Sequence, residues 1–406
     1  MARLNESINI SPGTVTMSAV NVRRAEKSDL DQLVALEMRC FAGDRLNRRN
    51  FKYMLTKAHG QLWVAEDENG LLGYVLILFH RGTSLARLYS IAIDVAAQGK
   101  GLADLLMEQA EHSAKETGCV YMRLEVREDN TRAVRLYERR GYRYFGRIPD
   151  YYEDGCAALR YEKALKVKPP DNRINVPYYA QTTEFTCGPS ALMMAMRSLD
   201  PQFPLDRNQE LRIWREATTI FMTSGHGGCG PHGLALAAWR RGFWVKLFIS
   251  QEGPLFVEGV RSDNKKEVLA LVHEEFEQEL EKTDVEIHKR GVSSADIQSC
   301  LTEGGVPIVL ISTYQFNRVK APHWVVVTAL DDRFVYINDP EIDEETFRLE
   351  TDNINLPIPR QHFDAMAKFG QTRLRTAVLI YGRTKDEATE SNLLQSGPRV
   401  AAGDAG

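Results

Sequence analysis

The sequence predicts an α+β protein of two domains, each a sheet with helices set against it. Three observations carry that expectation. The chain has 406 residues, more than one ordinary core holds. Strand-like and helix-period segments are interleaved along both halves. Between the halves, the run Ala164 to Arg173 holds two prolines, Lys and Asp-Asn without any period, which places a linker at 166–174. The expected organisation is a disordered leader at 1–19, a first domain at 20–165, the linker, a second domain at 175–383 and a disordered tail at 384–406.

In the first domain Val22 to Ala25 reads as a short strand. Ser28, with Asp31 nearby, opens a helix whose apolar positions include Leu30, Leu33, Val34 and Leu36. Leu62 to Glu66 and Leu71 to Phe79 read as strands joined by the hairpin turn Asp67-Glu68-Asn69-Gly70. Ala86 to Asp94 is a third long strand. A helix from Gly101 to Thr117, a strand from Val120 to Arg127 and a helix from Thr131 to Arg140 follow. Gly141 is a good stop for the last of these. Tyr142 to Arg147 and Ala157 to Glu162 complete the sheet.

The second domain reads as helices at Cys187 to Leu199 and Pro231 to Arg241, then an acidic helix at Val268 to Leu280. Strands are expected at Pro307 to Ser312, Trp324 to Leu330, Phe334 to Asn338 and Ala377 to Tyr381.

Composition narrows the function classes. Apolar residues make up 43% and charged residues 26%, ordinary for a soluble protein, and the formal net charge is −4. That balance gives no concentrated basic surface, so no nucleic-acid partner is expected. No run of eighteen apolar residues and no apolar signal segment stands out, so no membrane association and a cytoplasmic location are expected. Cys40, Cys119, Cys156, Cys187, Cys229 and Cys300 are sparse and irregular, which fits reduced thiols rather than a disulfide framework.

Gln98-Gly99-Lys100-Gly101-Leu102-Ala103 follows a strand and opens a helix. Small residues there let backbone N–H groups approach a pyrophosphate, and the helix start adds free donors and a favourable dipole. Glycines between a strand and a helix are common, so this loop alone is not specific. Together with Ser90-Ile91-Ala92-Ile93 before it, and Leu124-Glu125-Val126-Arg127, Asn130, Ala133, Leu136-Tyr137 and Gly141-Tyr142 after it, the region Val20 to Leu165 resembles the GCN5-related N-acetyltransferases (GNAT) that acetylate protein N-termini. The resemblance implies a GNAT-type mixed sheet with acetyl-CoA as cofactor. It places that cofactor on Ile91, Ile93, Gln98 to Ala103 and Asn130. It also implies Glu125 as a general base acting through water, and Tyr137 as the acid that protonates the departing thiolate. A protonated amine must lose a proton before it attacks, so a carboxylate at this place is useful. Tyr151-Tyr152 falls in the hairpin that covers the acceptor peptide in such proteins.

Thr186-Cys187-Gly188-Pro189 puts a cysteine at the start of an apolar helix, where free N–H groups and the dipole favour a thiolate. Gln181 lies six residues earlier and its amide can return over the sulfur to hold an oxyanion. His323 stands at the entry to an apolar strand and Asp339 follows the next strand, so two antiparallel neighbours can bring them together. Over roughly Asn175 to Tyr381 the chain resembles the papain-like cysteine peptidases of the bacteriocin-processing (C39) class. These use Gln, Cys, His and Asp in this order, which implies catalytic roles for Gln181, Cys187, His323 and Asp339.

Gly228-Cys229-Gly230-Pro231 repeats the Cys-Gly-Pro spelling without a glutamine six residues before it. Its neighbours His226 and His232 have spacings a zinc ion could exploit, but only three ligands are evident, so no metal is assigned. More naturally, this loop shapes a cleft wall.

Both resemblances concern peptides. The expectation is a bifunctional enzyme on a peptide or protein substrate. Its alternatives are an acetyltransferase with an inactive or amide-forming second domain, and a non-catalytic peptide-binding protein. The oligomeric state is left open.

Overall fold

Nine successive residues that are nearly all buried make a strand that lies inside a covered sheet rather than on its surface. In the computed structural model that strand is β3 (Gly70–Phe79), and the sheet around it organises the first half of the chain. The structure describes residues 20–168, 170, 172–218, 227–257, 260, 262–343 and 347–382. The expected leader at 1–19, the tail at 384–406 and His226 lie outside the described residues. The described chain falls into two compact units. The first takes in residues up to 79, 87–117 and 124–162, and the second takes in 80–86, 118–123 and those from 163 onward.

The first sheet is built from β1 (Asn21–Arg24), β2 (Gly60–Asp67), β3, β4 (Leu85–Ile93), β5 (Tyr121–Arg127), β6 (Arg143–Ile148) and β7 (Ala158–Ala164), in the spatial order β1-β2-β3-β4-β5-β7-β6. The β2–β3 hairpin closes with Asp67 opposite Gly70, as the turn residues require. Helices α1 (Leu30–Cys40) and α3 (Leu102–Glu116) pack on β3. Leu102, Leu106, Met107, Ala110 and Ala114 of α3 are buried at helical spacing, so one face of the helix is committed to the sheet. Helix α4 (Thr131–Arg139) ends before Gly141, whose φ of 85° is the left-handed stop expected there. Helix α2 (Arg48–Thr56) was not anticipated. Only Phe51 and Met54 of its nine residues are buried, too few to set a period.

The second unit holds α5 (Cys187–Leu199), α6 (Arg207–Ala217), α7 (Pro231–Trp239), β8 (Trp244–Ile249), α8 (Asp263–Leu280), β9 (Glu286–His288), α9 (Ser294–Thr302), β10 (Val306–Ser312), α10 (Tyr314–Asn317), β11 (Pro322–Leu330), β12 (Phe334–Asn338), α11 (Glu350–Asn353), β13 (Leu356–Pro359), α12 (Arg360–Met366) and β14 (Thr376–Tyr381). Its sheet runs β13-β12-β11-β10-β14-β8-β9, antiparallel throughout except for the parallel β8–β9 edge. Helix α5 lies on β10 and β11, and residues 188–196 are all buried. Leu192, Met193, Met194 and Met196 each remove a large side chain from water, worth about 1.5–3 kcal/mol apiece. The strong apolar run therefore fixes where Cys187 sits, whatever its chemistry. Both α+β units match the expected fold class. Elements α6, β8, β9, α9, β13 and the short helices α10, α11 and α12 are additions to the sequence reading.

Candidate active sites

In the first unit, β4 leads through a short 3-10 turn into Gln98 to Ala103 and then α3. Gly99 and Gly101 have φ of 81° and 78°, and a Cβ built on either meets nothing within 4 Å. The backbone there is open rather than packed. Gly101 is the N-cap of α3 and offers no side-chain cap, so the first-turn N–H groups face outward as donors. A phosphate-bearing cofactor fits this cradle on charge and on space. Gln98 Oε1 accepts from Arg132, Leu102 is buried beneath the loop, and the carbonyl of Ile93 accepts from Cys40 Sγ at 3.3 Å. Asn130 has a local structural duty: its Oδ1 accepts from Ala133 N at 3.1 Å and caps α4.

Glu125 lies on β5 with its side chain only 5% exposed. The guanidinium of Arg87, on β4, donates to Oε2 from Nε at 3.0 Å and from Nη2 at 2.7 Å. The other oxygen, Oε1, is buried and has no partner among the described residues. An orphaned buried acceptor costs about 1–3 kcal/mol, so it asks for a ligand or water. Arg87 Nη2 also donates to Tyr151 Oη at 3.3 Å, and Arg127 stacks 4.9 Å over the Tyr152 ring. Tyr137 is buried on α4, 5.8 Å from Tyr142 in an edge-to-face pair. Burial pushes its phenol well above the usual range, so it keeps its proton at neutral pH.

In the second unit the register of β11 against β12 sets Val326 opposite Asn338. One step further puts Asp339 beside Val325 and diagonal to His323 on the same face. The two side chains meet: His323 Nε2 and Asp339 Oδ1 are 2.7 Å apart, both buried. Cys187 lies close enough to the same imidazole to raise its pKa, and Asp339 occupies the Nε2 side of the ring. Burial opposes a charge on His323, but the Asp339 carboxylate and Cys187 outweigh it and hold the ring well above the ordinary imidazole range. Asp339 is held low against its own burial by Arg348 and His323. Gln181 is tied to this place by its backbone N–H, which donates to Pro340 O at 2.9 Å, and its side-chain Oε1 is buried without a partner among the described residues.

Two residues of these sites escaped the sequence reading. Arg87 gave no signal beyond its place in an apolar strand. Arg348 Nη2 donates to Asp339 Oδ2 at 2.7 Å and its Nε to Asn353 Oδ1 at 2.6 Å, from a segment with no readable period.

The second Cys-Gly-Pro is structural. Cys229 is buried, and desolvation pushes its thiol far up. Its carbonyl accepts from Trp324 Nε1 at 3.1 Å. A Cβ on Gly188 would come within 3.2 Å of Cys229 Cβ, of Leu234 and of Trp324, so the two Cys-Gly-Pro loops are packed face to face. His232 lies against His273 with ring centroids 4.9 Å apart, and burial followed by that neighbour lowers its pKa to about 4. No group of three metal-ligating side chains occurs among the described residues, and no described helix is long and apolar enough to cross a membrane.

Residues 176–381 match the Peptidase_C39 like family, and residues 30–142 match the acetyltransferase (GNAT) family. An uncharacterized N-acetyltransferase of Methanocaldococcus jannaschii is 34% identical over 110 residues, covering 27% of this chain and 69% of that protein. N-alpha-acetyltransferase 30 of Schizosaccharomyces pombe is 33% identical over 102 residues, covering 24% of this chain and 68% of its own. Among solved structures, the ribosomal-protein-S18-alanine N-acetyltransferase from Escherichia coli aligns at 21% identity over 38% of this chain and 98% of that one, with a TM-score of 0.34.

Proposed function

We propose that this chain, which belongs to the Peptidase_C39 like family and through its first domain to the acetyltransferase (GNAT) family, acts on peptides at two sites: an N-acetyltransferase centred on Glu125 and a cysteine site centred on Cys187. Acetyl-CoA is the cofactor of the first site and supplies the acetyl group. The open backbone at Gly99 and Gly101 and the uncapped start of α3 would hold its pyrophosphate. Arg87 holds one oxygen of Glu125, and the free Oε1 takes a proton from the acceptor amine through water. Tyr137, kept protonated by burial, returns a proton to the departing thiolate.

At the second site His323 takes the Cys187 proton. The sulfur bonds to a peptide carbonyl carbon while the π pair moves to oxygen, beside the Gln181 amide. That pair returns as the C–N bond breaks, and the imidazolium gives its proton to the leaving amine. Water, with His323 again as base, then releases the acid and restores the thiol. The observation that carries this half is the buried His323–Asp339 pair set against a cysteine at a helix start.

The test is full-length protein incubated with acetyl-CoA and a peptide library, read by mass spectrometry. The expected products are acetylated amino termini and cleaved peptides. Cys187→Ala should lose cleavage alone, and Glu125→Gln should lose acetylation alone. A wild-type protein that acetylates but neither cleaves nor joins any peptide would remove the peptidase half.

A further inference from the structure

Glu210, on α6, is fully buried and forms no ion pair among the described residues. Five donors converge on its two oxygens. Oε1 accepts from Thr182 N at 2.8 Å, from Ser190 Oγ at 3.3 Å and from Thr186 Oγ1. Oε2 accepts from Tyr179 Oη at 2.9 Å and from Thr182 Oγ1 at 2.7 Å. Donors aimed at both oxygens are what an ionised carboxylate satisfies and a neutral amide does only in part.

All five donors lie within residues 179–190. Thr182 directly follows Gln181. Thr186 directly precedes Cys187, and Ser190 sits in the first turn of α5. One carboxyl group therefore ties down both the residue beside the oxyanion amide and the residue beside the sulfur. Two groups that must face the same carbonyl need their spacing fixed more tightly than a loop fixes it unaided. The carboxylate also lies at the positive end of α5, where it offsets the field that favours a thiolate.

We propose that Glu210 is a positioning residue of the thiol site: its carboxylate locks the segment from Gln181 to Cys187 so that amide and sulfur address one carbonyl. This rests on Cys187 being the nucleophile. Two reactions of Cys187 in the full-length protein separate the roles. Alkylation by iodoacetamide reports the thiolate and needs no oxyanion donor. Acylation by p-nitrophenyl acetate needs both the thiolate and the donor.

Gln181→Ala should lower acylation relative to alkylation by about 10²-fold. Glu210→Ala should lower that ratio in the same direction by roughly ten-fold or more. Glu210→Gln keeps the shape and one acceptor, so it should recover much of the ratio. With the charge gone, its alkylation midpoint should move to lower pH. A Glu210→Ala protein that melts like wild type, and whose two rates fall equally or not at all, would overturn the proposal. If Glu210→Ala does not fold, Thr186→Val, which removes one donor to the carboxylate beside Cys187, decides: two rates that fall equally or not at all overturn it. Wild-type protein acylated at a cysteine other than Cys187, or at none, would sink the nucleophile reading itself, and this proposal with it.

Discussion

Glu125 and Asp339 are two carboxylates whose partners assign them different work. Arg348 and His323 occupy both oxygens of Asp339 and hold it ionised at ordinary pH, which suits the orienting role proposed for it. Arg87 occupies one oxygen of Glu125, and the other has no partner among the described residues. Glu125→Gln is therefore expected to lower acetyl transfer roughly 10²–10⁴-fold at neutral pH while cofactor binding, measured by titration calorimetry, stays near wild type. The deficit should shrink as pH rises, because more amine is already neutral. A full-rate Glu125→Gln enzyme at neutral pH would take the base role from this residue. Local signals marked Cys187, His323 and Asp339 as candidates, a helix start, a strand entry and a strand exit, while Glu125 was marked by the family resemblance, and the structure sets His323 against Asp339. The sequence hid Arg87, Arg348 and Glu210, because a buried charge reveals its purpose only through partners distant along the chain.

At the scale of elements, legibility followed burial. Helix α5 runs Cys187–Leu199, the span expected, since nine consecutive buried residues leave little room for another reading. Helix α6 was missed because its sequence, Arg207 to Ala217, is mostly polar and only Glu210, Ile213 and Ala217 are buried. Strand β8 was missed because Trp244, Val245, Leu247, Phe248 and Ile249 read as strand or helix equally well over so short a run. The packing of α5 makes a prediction of its own. Leu192 is wholly buried, and Leu192→Ala should cost about 2–5 kcal/mol through lost contacts and the cavity left behind. Chemical denaturation of the full chain would measure it. A loss under about 1 kcal/mol would mean that the helix relaxes around the gap far more than this core implies.

For the molecule as a whole, the buried imidazoles set opposite responses to pH. His232 titrates at about 4 in the folded chain against 6.5 ordinarily. Between those values the unfolded chain binds a proton that the folded chain refuses, so stability falls as pH drops through the window. At about 1.4 kcal/mol per unit the full cost is about 3 kcal/mol. His323 works the other way: its contribution is complete below the ordinary imidazole value and is lost as pH rises through its raised one. Asp339, held low, keeps its contribution until pH falls below the range where His232 acts. Urea midpoints at pH 7 and pH 4.5 should therefore differ more for wild type than for His232→Leu. Equal differences would show that acid sensitivity arises elsewhere. That the chain makes two units was legible from its length; the described residues of the span read as a linker, 166–174, group with the second unit, where Val167 is buried in the core. That residues 80–86 and 118–123 group with the second unit was not legible, because nothing local marks which core a short segment joins.

The contact between Trp324 and the two Cys-Gly-Pro loops has an optical consequence. All five tryptophans are described, and Trp324 alone among them is buried; Trp63, Trp214, Trp239 and Trp244 are each partly exposed to solvent. A dry indole emits at shorter wavelength than a wetted one, so the blue edge of the protein's fluorescence belongs to Trp324. That ring donates to Cys229 and touches the glycine next to Cys187. Any group that attaches to the sulfur and shifts the first turn of α5 registers in that edge without a label, which turns the native spectrum into a gauge of whether the thiol is loaded.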